Sequence, residues 1–301
     1  MKGNNISFLI FILLLTMFSC NNKNEQVKYD SPLQGTIYIS VDESFKPVIN
    51  EEIKVYESTY PDAKIIASYK SEADCFRDLQ KDSTRLIIVA KGLTDEEEKY
   101  YQSKLNYRVN YDVIAYDAVS VIVNAASPDS VFTMKGIKKL LTDSTNKHEV
   151  VVDGTNATST VRFLLDSVLK GESFGKNVKA AQGSKAVLDY VSDNINAVGF
   201  VGSSWVGNDE DPDQKKYDTK IHLALLECTS CENNIFAKPS QATITYGQYP
   251  LVRPLYYILK ENYTGLGTGF TNFMTLERGQ LIFKRSYLVP AKMYFEIRKV
   301  I

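Results

Sequence analysis

The 301-residue sequence has only two histidines, His148 and His222, and no HExxH or paired-His spacing, which excludes a His-rich metal site. It lacks an excess of either charge: 35 basic and 36 acidic residues leave a net −1. There is no basic block to hold nucleic acid, which is not an expected partner, and no acidic tail to suggest disorder. No Gly-x-Ser-x-Gly elbow is present and neither His falls in a motif, so no nucleophile–base pair is legible and an enzyme is not expected. No internal repeat occurs, and no cofactor is implied. Cysteine is scarce, with four residues, and the second CxxC that a zinc site would need is missing. What remains is an aromatic-rich globular composition, with 19 Tyr and 14 Phe.

The N-terminus carries an address. Met1-Lys2 precedes an apolar run from Ile6 to Phe18, broken only by Ser7 and Thr16, and then Ser19-Cys20. A charged start, an h-region of this length and a small residue at the end make a signal peptide. The run is shorter than the roughly 18–20 apolar residues of a membrane span. Met17-Phe18-Ser19-Cys20 resembles a bacterial lipobox, with Phe18 larger than usual, and implies lipidation at Cys20. Residues 1–20 are then a lipoprotein signal peptide and 21–33 a polar tether. The mature chain is expected in the bacterial cell envelope, facing the periplasm and held at a membrane by its lipid.

Beyond the tether, strands and helices alternate. Strands are predicted at 35–40, 64–69 and 85–90, with helices over 43–60, from 72 to 81 and from Thr94 onward. Phe45, Val48, Ile49, Ile53 and Tyr56 fall near helical spacing. Arg85–Ala90 is the continuous apolar run of a buried parallel strand. Thr94 followed by Asp95, Glu96, Glu97 and Glu98 reads as an N-cap with acids in the first turn. Val113–Asn124 reads as a long strand, and 133–141, 158–170 and 184–193 as helices. His148–Val152, Ala197–Val201 and Tyr249–Lys260 read as strands. Residues 207–216 read as a solvent loop, and 265–283 as a helix start and its continuation. Such alternation gives an α/β fold with a parallel sheet covered on both faces. Cys228-Thr-Ser-Cys231 is open to three readings: a redox pair, half a metal site or a short structural disulfide.

Four segments resemble the phosphate-type solute-binding proteins of bacterial ABC importers. They are Asp117–Asn124 with Pro128 and Phe132-Thr133; Ala197–Val201; Tyr249-Pro-Leu-Val-Arg-Pro-Leu-Tyr256; and Gly269-Phe270-Thr-Asn-Phe273 with Gly279-Gln280 and Leu288-Val289-Pro290. The resemblance implies a two-lobed type II periplasmic-binding-protein fold with a ligand cleft between the lobes. Lobe 1 would comprise 34–115 plus 246–301, and lobe 2 would comprise 116–245. It also implies phosphate or a related oxyanion as ligand and ABC permease subunits as partners.

Helix N-termini and hydroxyls suit an oxyanion. Three helix starts offer them: Ser40 and Ser44 after the first strand, Ser71 after the second, and Thr158, Ser159 and Thr160 where the family has its Gly-Ser-Gly-Thr loop. Ala157 and Ser159 replace glycines of that loop, and Gly154 lies earlier, where it would take over the bend. Lys91 falls where many members of the family carry a charged residue facing the cleft, and is open to two readings: a point charge for the anion, or a surface lysine before a helix. Asp153, Asp42 or Glu72 would accept the proton of a monobasic phosphate, because a carboxylate is tolerated beside an anion only if a proton is shared. Two alternatives stay open. One is another oxyanion, such as sulfate, molybdate or tungstate; the other is a lipoprotein of the same fold that binds nothing and serves in assembly.

Overall fold

The computed structural model describes residues 30–154, 157–208, 210–232 and 234–293. The signal-peptide and lipidation readings (1–20, Cys20) and residues 21–29 of the tether lie outside the described residues. Among those described, no helix is long and apolar enough to cross a membrane.

The elements in chain order are β1 Gly35–Asp42, α1 Lys46–Thr59, β2 Ala63–Lys70, α2 Glu72–Leu79, β3 Leu86–Val89, α3 Asp95–Leu105 and β4 Asn110–Asn124. There follow β5 Val131–Phe132, α4 Met134–Thr142, β6 Glu149–Val152, α5 Ser159–Phe163, β7 Val178–Ala180, α6 Ser184–Asp193 and β8 Ala197–Gly202. The chain continues through α7 Pro212–Lys215, β9 Ile221–Leu223, β10 Leu225–Glu227, β11 Phe236–Ala237 and α8 Gln241–Thr245. It then runs through β12 Val252–Leu259, α9 Leu266–Thr275, α10 Glu277–Arg285 and β13 Val289–Pro290.

The main sheet runs β2-β1-β3-β12-β4-β8-β6-β7, with β13 and β9 also pairing to β4. β1 is parallel to β2 and β3, and β6 is parallel to β7 and β8, as strand–helix alternation requires. The sheet is mixed rather than wholly parallel, because β12 returns from far along the chain and runs antiparallel to both β3 and β4. β4 is the spine: Asn110–Ala118 pairs with β12, and Val119–Asn124 pairs with β8 and β9. Each half of the sheet has its own cores. One gathers Ile37, Ile39, Phe45, Leu86 and Phe270; another gathers Val121, Leu141, Val150, Val161 and Phe200.

Local chemistry explains where the elements depart from sequence expectation. Pro47 fits only a first helical turn, so α1 starts at Lys46, and Glu43–Phe45 forms a separate 3-10 turn capped by Asp42. The helix expected over 158–170 is α-helical only to Phe163 and widens into a π turn over Leu164–Leu169, ending at Lys170 with φ 52°. Leu276 is extended and splits α9 from α10. The expected solvent loop at 207–216 contains the short α7, and its Gln214 is buried because its amide donates to Ser204 O. Strands of two or three residues, such as β5, β7 and β11, are too short to show a period of two. Cys228 and Cys231 form a disulfide, and Cys75 is a buried free thiol.

One core position breaks the apolar pattern. Glu52 lies on the face of α1 that also buries Val48, Ile49 and Tyr56; it is fully buried, and neither carboxylate oxygen has a hydrogen-bond partner. Burial raises its carboxyl well above the usual range. Glu52→Leu should stabilise the fold by about 1–3 kcal/mol at pH 7, since an unsatisfied buried polar group is replaced by apolar volume. A thermal melt showing equal or lower stability for Glu52→Leu would refute this.

Candidate functional site

Three chain segments meet at the seam between the two halves of the sheet. β1 ends at Asp42 and turns through Glu43–Phe45, which brings Ser44 inward. β6 ends beside Asp153, and α5 opens after it with Thr158 as N-cap, its hydroxyl accepting from Val161 N–H at 3.3 Å. Gly154 makes the approach possible: a Cβ there would stand 2.6 Å from Thr158 Cγ2. Thr155 and Asn156 lie outside the described residues. The third segment is the facing pair of β4 and β12, whose register sets Arg253 opposite Asp117.

The guanidinium of Arg253 is the hub. Nε donates to Asp117 Oδ2 at 3.0 Å, and Nη1 donates to Ser159 Oγ at 2.9 Å and to Thr160 Oγ1 at 3.3 Å. Nη2 lies 2.9 Å from Asp117 Oδ2 as an ion pair yet makes no hydrogen bond. The guanidinium also stacks over the Phe45 ring at 5.0 Å. Asp117 is locked from the other side by Ser203, whose N–H and Oγ donate to Oδ1 at 3.0 and 2.5 Å. Ser44 Oγ reaches Asp153 Oδ2 and Ser159 Oγ at 3.3 Å and Thr160 Oγ1 at 3.4 Å. Asp153 collects Thr158 Oγ1 at 2.7 Å and Thr160 Oγ1 at 2.8 Å.

Acids crowd this donor set. Asp42, Asp117 and Asp153 are buried. Asp42 Oδ1 accepts from Ser44 N–H at 3.0 Å, while Oδ2 has no partner. Burial and then the charge of Glu72 push its carboxyl up to about 7, against the pull of Arg253. Burial likewise raises Asp153, opposed by its Thr158 and Thr160 hydrogen bonds. Further out, Glu72 accepts from Ala90 N–H at 2.9 Å and pairs with Arg162 through Nε and Nη2. Glu43 accepts from Ser184 N–H and Oγ; burial raises its carboxyl while the Ser184 bonds lower it.

Of the residues singled out in the sequence, Ser44, Asp153, Thr158, Ser159 and Thr160 are brought together. Ser40 is close by in sequence but donates to Asp78 Oδ2 at 2.6 Å. Ser71 caps α2, where its hydroxyl accepts from Asp74 N–H. Lys91 pairs with Glu97 at 3.5 Å and lies over the Phe76 ring. The hub itself, Arg253 with Asp117, was not among the sequence candidates. Both lie in segments that carry the family resemblance, but only the antiparallel register makes them partners. Arg162, Glu43 and Ser184 were missed for the same reason: their contacts join residues 90 and 141 positions apart in the chain.

The comparisons with known proteins agree with this architecture. Residues 27–278 match the PBP superfamily domain. The phosphate-binding protein PstS of Pseudomonas aeruginosa is 23% identical over 265 residues, covering 79% of this chain and 78% of its own. A phosphate ABC transporter substrate-binding protein from Clostridium perfringens, solved with bound phosphate, superposes with a TM-score of 0.70 at 20% identity, over 86% of this chain and 100% of its own. An ABC-type phosphate transport receptor from Vibrio cholerae gives a TM-score of 0.61 at 15% identity, over 85% and 100% of the two chains. A mixed α/β sheet spanned by one long shared strand, the superfamily match and these relatives lead to one statement: the chain belongs to the PBP superfamily, as a PstS-like periplasmic binding protein with the type II fold.

Proposed function

We propose that this protein captures inorganic phosphate as the solute-binding component of an ABC importer, working as a binding protein and not as an enzyme. In this reading Cys20 carries the lipid that holds it at the membrane, and the permease subunits are its partners. Lobe 1 (34–115 plus 246–301) and lobe 2 (116–245) would close over the anion. The observation that carries the proposal is the convergence at the start of α5. The Ser44 hydroxyl lies within 3.4 Å of those of Ser159 and Thr160, and the buried Arg253 donates to both of the latter through Nη1. That is the donor set a tetrahedral oxyanion needs, with a fixed guanidinium in place of bulk water. Thr158, Ser159 and Thr160 sit at the positive end of α5. Asp153 and Asp42 supply the acceptors that suit an anion still carrying a proton.

Phosphate is favoured over sulfate, molybdate or tungstate on charge. A fully ionised oxyanion brings no proton to share with Asp153. Thermal melts of the purified protein with 1 mM of each anion test this. A dissociation constant of about 1 μM predicts about 4 kcal/mol of stabilisation by phosphate. Larger shifts with sulfate or molybdate would overturn the ligand assignment. The same acids favour a second reading, a non-binding assembly lipoprotein, because Asp153 already occupies the Ser44, Thr158 and Thr160 hydroxyls. No shift with any of the four anions is the result that reading expects.

A further inference from the structure

We infer that the cleft is latched shut by the chain's own carboxylates: Glu43 and Glu72 act as built-in anions that join the two halves of the sheet without any external ligand. Glu43 follows β1 on one side of the seam, and α6 starts on the other. The N-cap of α6 is Gly183, which has no side chain to satisfy the first-turn N–H groups. Glu43 supplies that cap from across the seam. Its Oε2 accepts from Ser184 N–H at 3.1 Å and from Ser184 Oγ at 2.8 Å. Gly183 has φ 87°, and a Cβ there would stand 3.1 Å from Glu43 Oε1, so the helix end is shaped to admit the carboxylate. An anion at this position is what a helix N-terminus of ten residues favours.

A second tie repeats the logic with different groups. Glu72 opens α2, is 3% exposed, and takes Arg162 of α5 through two guanidinium nitrogens. Arg162 Nη2 also donates to Ala90 O at 3.4 Å, and Ala73 N–H donates to Ala157 O at 3.1 Å beside it. Ser204 Oγ donating to Ser44 O at 2.9 Å adds a neutral contact between the same halves. Every partner in these ties belongs to the chain. Two charge-assisted bridges thus join the halves, each worth roughly a factor of ten in the closed-to-open ratio. The inference concerns closure alone and is independent of which solute the cleft takes.

Spin labels at Asp82→Cys and Lys176→Cys, two exposed positions on opposite halves, report the closure as a distance. The ligand-free protein should give one short-distance population. Adding Glu43→Ala and Glu72→Gln should lower the closed-to-open ratio by about 100-fold and shift the distances outward. Gln at 72 retains an acceptor for Ala90 N–H, which spares the local fold. A readout without latch substitutions is amide exchange: Ser184 and Ala73 N–H should be protected in the ligand-free wild type. The inference is overturned by long distances in the ligand-free protein, by unchanged distances in the doubly substituted chain, or by rapid exchange at Ser184 and Ala73.

Discussion

Replacing Arg253 with Met is expected to destabilise the protein by about 3–5 kcal/mol, because it strands the buried carboxylate of Asp117 without its countercharge. Arg253 is 1% exposed and Asp117 is fully buried, so water cannot take over the lost interaction. For a protein of this size the melting temperature should fall on the order of 10 °C. Much of this loss is the penalty of the orphaned charge rather than the worth of the pair. Asp117→Asn removes that charge while its side-chain oxygen still accepts from Ser203 N–H and Oγ, the role Oδ1 plays now. The double variant Arg253→Met/Asp117→Asn should therefore be more stable than Arg253→Met alone. A double-mutant cycle in urea checks this: strong coupling is expected, and simple additivity would contradict the buried-pair interpretation.

The second large effect is on pH. Asp42 is fully buried and its carboxyl is raised from 3.8 to about 7. Its folded pKa lies above its unfolded one, so the stability it contributes is fully present below about pH 4 and is lost as pH rises through about 7. In that window the unfolded chain has given up the proton that the folded chain still holds. At about 1.4 kcal/mol per pH unit, the loss across the window is about 4 kcal/mol. Asp42→Asn cannot ionise and keeps an acceptor for Ser44 N–H, so it should remove this component. Glu43, Glu52 and Asp153 are raised as well and leave the variant a residual slope of the same sign. Urea unfolding of both proteins between pH 4 and 8 decides the point. The difference should open with pH in favour of Asp42→Asn up to about pH 7 and level off above it, and parallel curves would contradict it. The same ionisation places negative charge at the proposed anion site, so phosphate affinity should also weaken above about pH 7.

Much of the fold was legible in the sequence because its elements obey local rules. Thr94 caps α3 ahead of the acids of its first turn, as the sequence indicated, and the structure adds a reciprocal bond from Glu97 that completes a capping box. Leu86–Val89 is buried at every position, as a continuous apolar run in an α/β sheet demands. The α5 start was legible through Thr158 and its neighbouring hydroxyls. The hub of the site was not, for a topological reason. Arg253 and Asp117 are 136 residues apart and meet only because β12 returns antiparallel to β4. The acids after β1 have roles that their order in the sequence hides. In the structure Asp42 caps the 3-10 turn and Glu43 caps a helix on the other side of the seam, neither of which a one-dimensional pattern can reveal. Lys91 shows the converse: its place after β3 suggested a cleft-facing cation, but Glu97, fixed in the first turn of α3 by its own capping box, lies within reach and pairs with it.

Isothermal titration of phosphate into the purified protein at pH 6, repeated with Ser159→Ala/Thr160→Val, tests the proposed anion site most directly. Both hydroxyls are buried beside Arg253, and neither substitution adds charge. Saturable binding by the wild type, weakened at least about tenfold by loss of the two hydroxyls, is the expected result. Absence of phosphate binding by the wild type, or equal affinity in the variant, would contradict the assignment of this seam as the place where the solute is held.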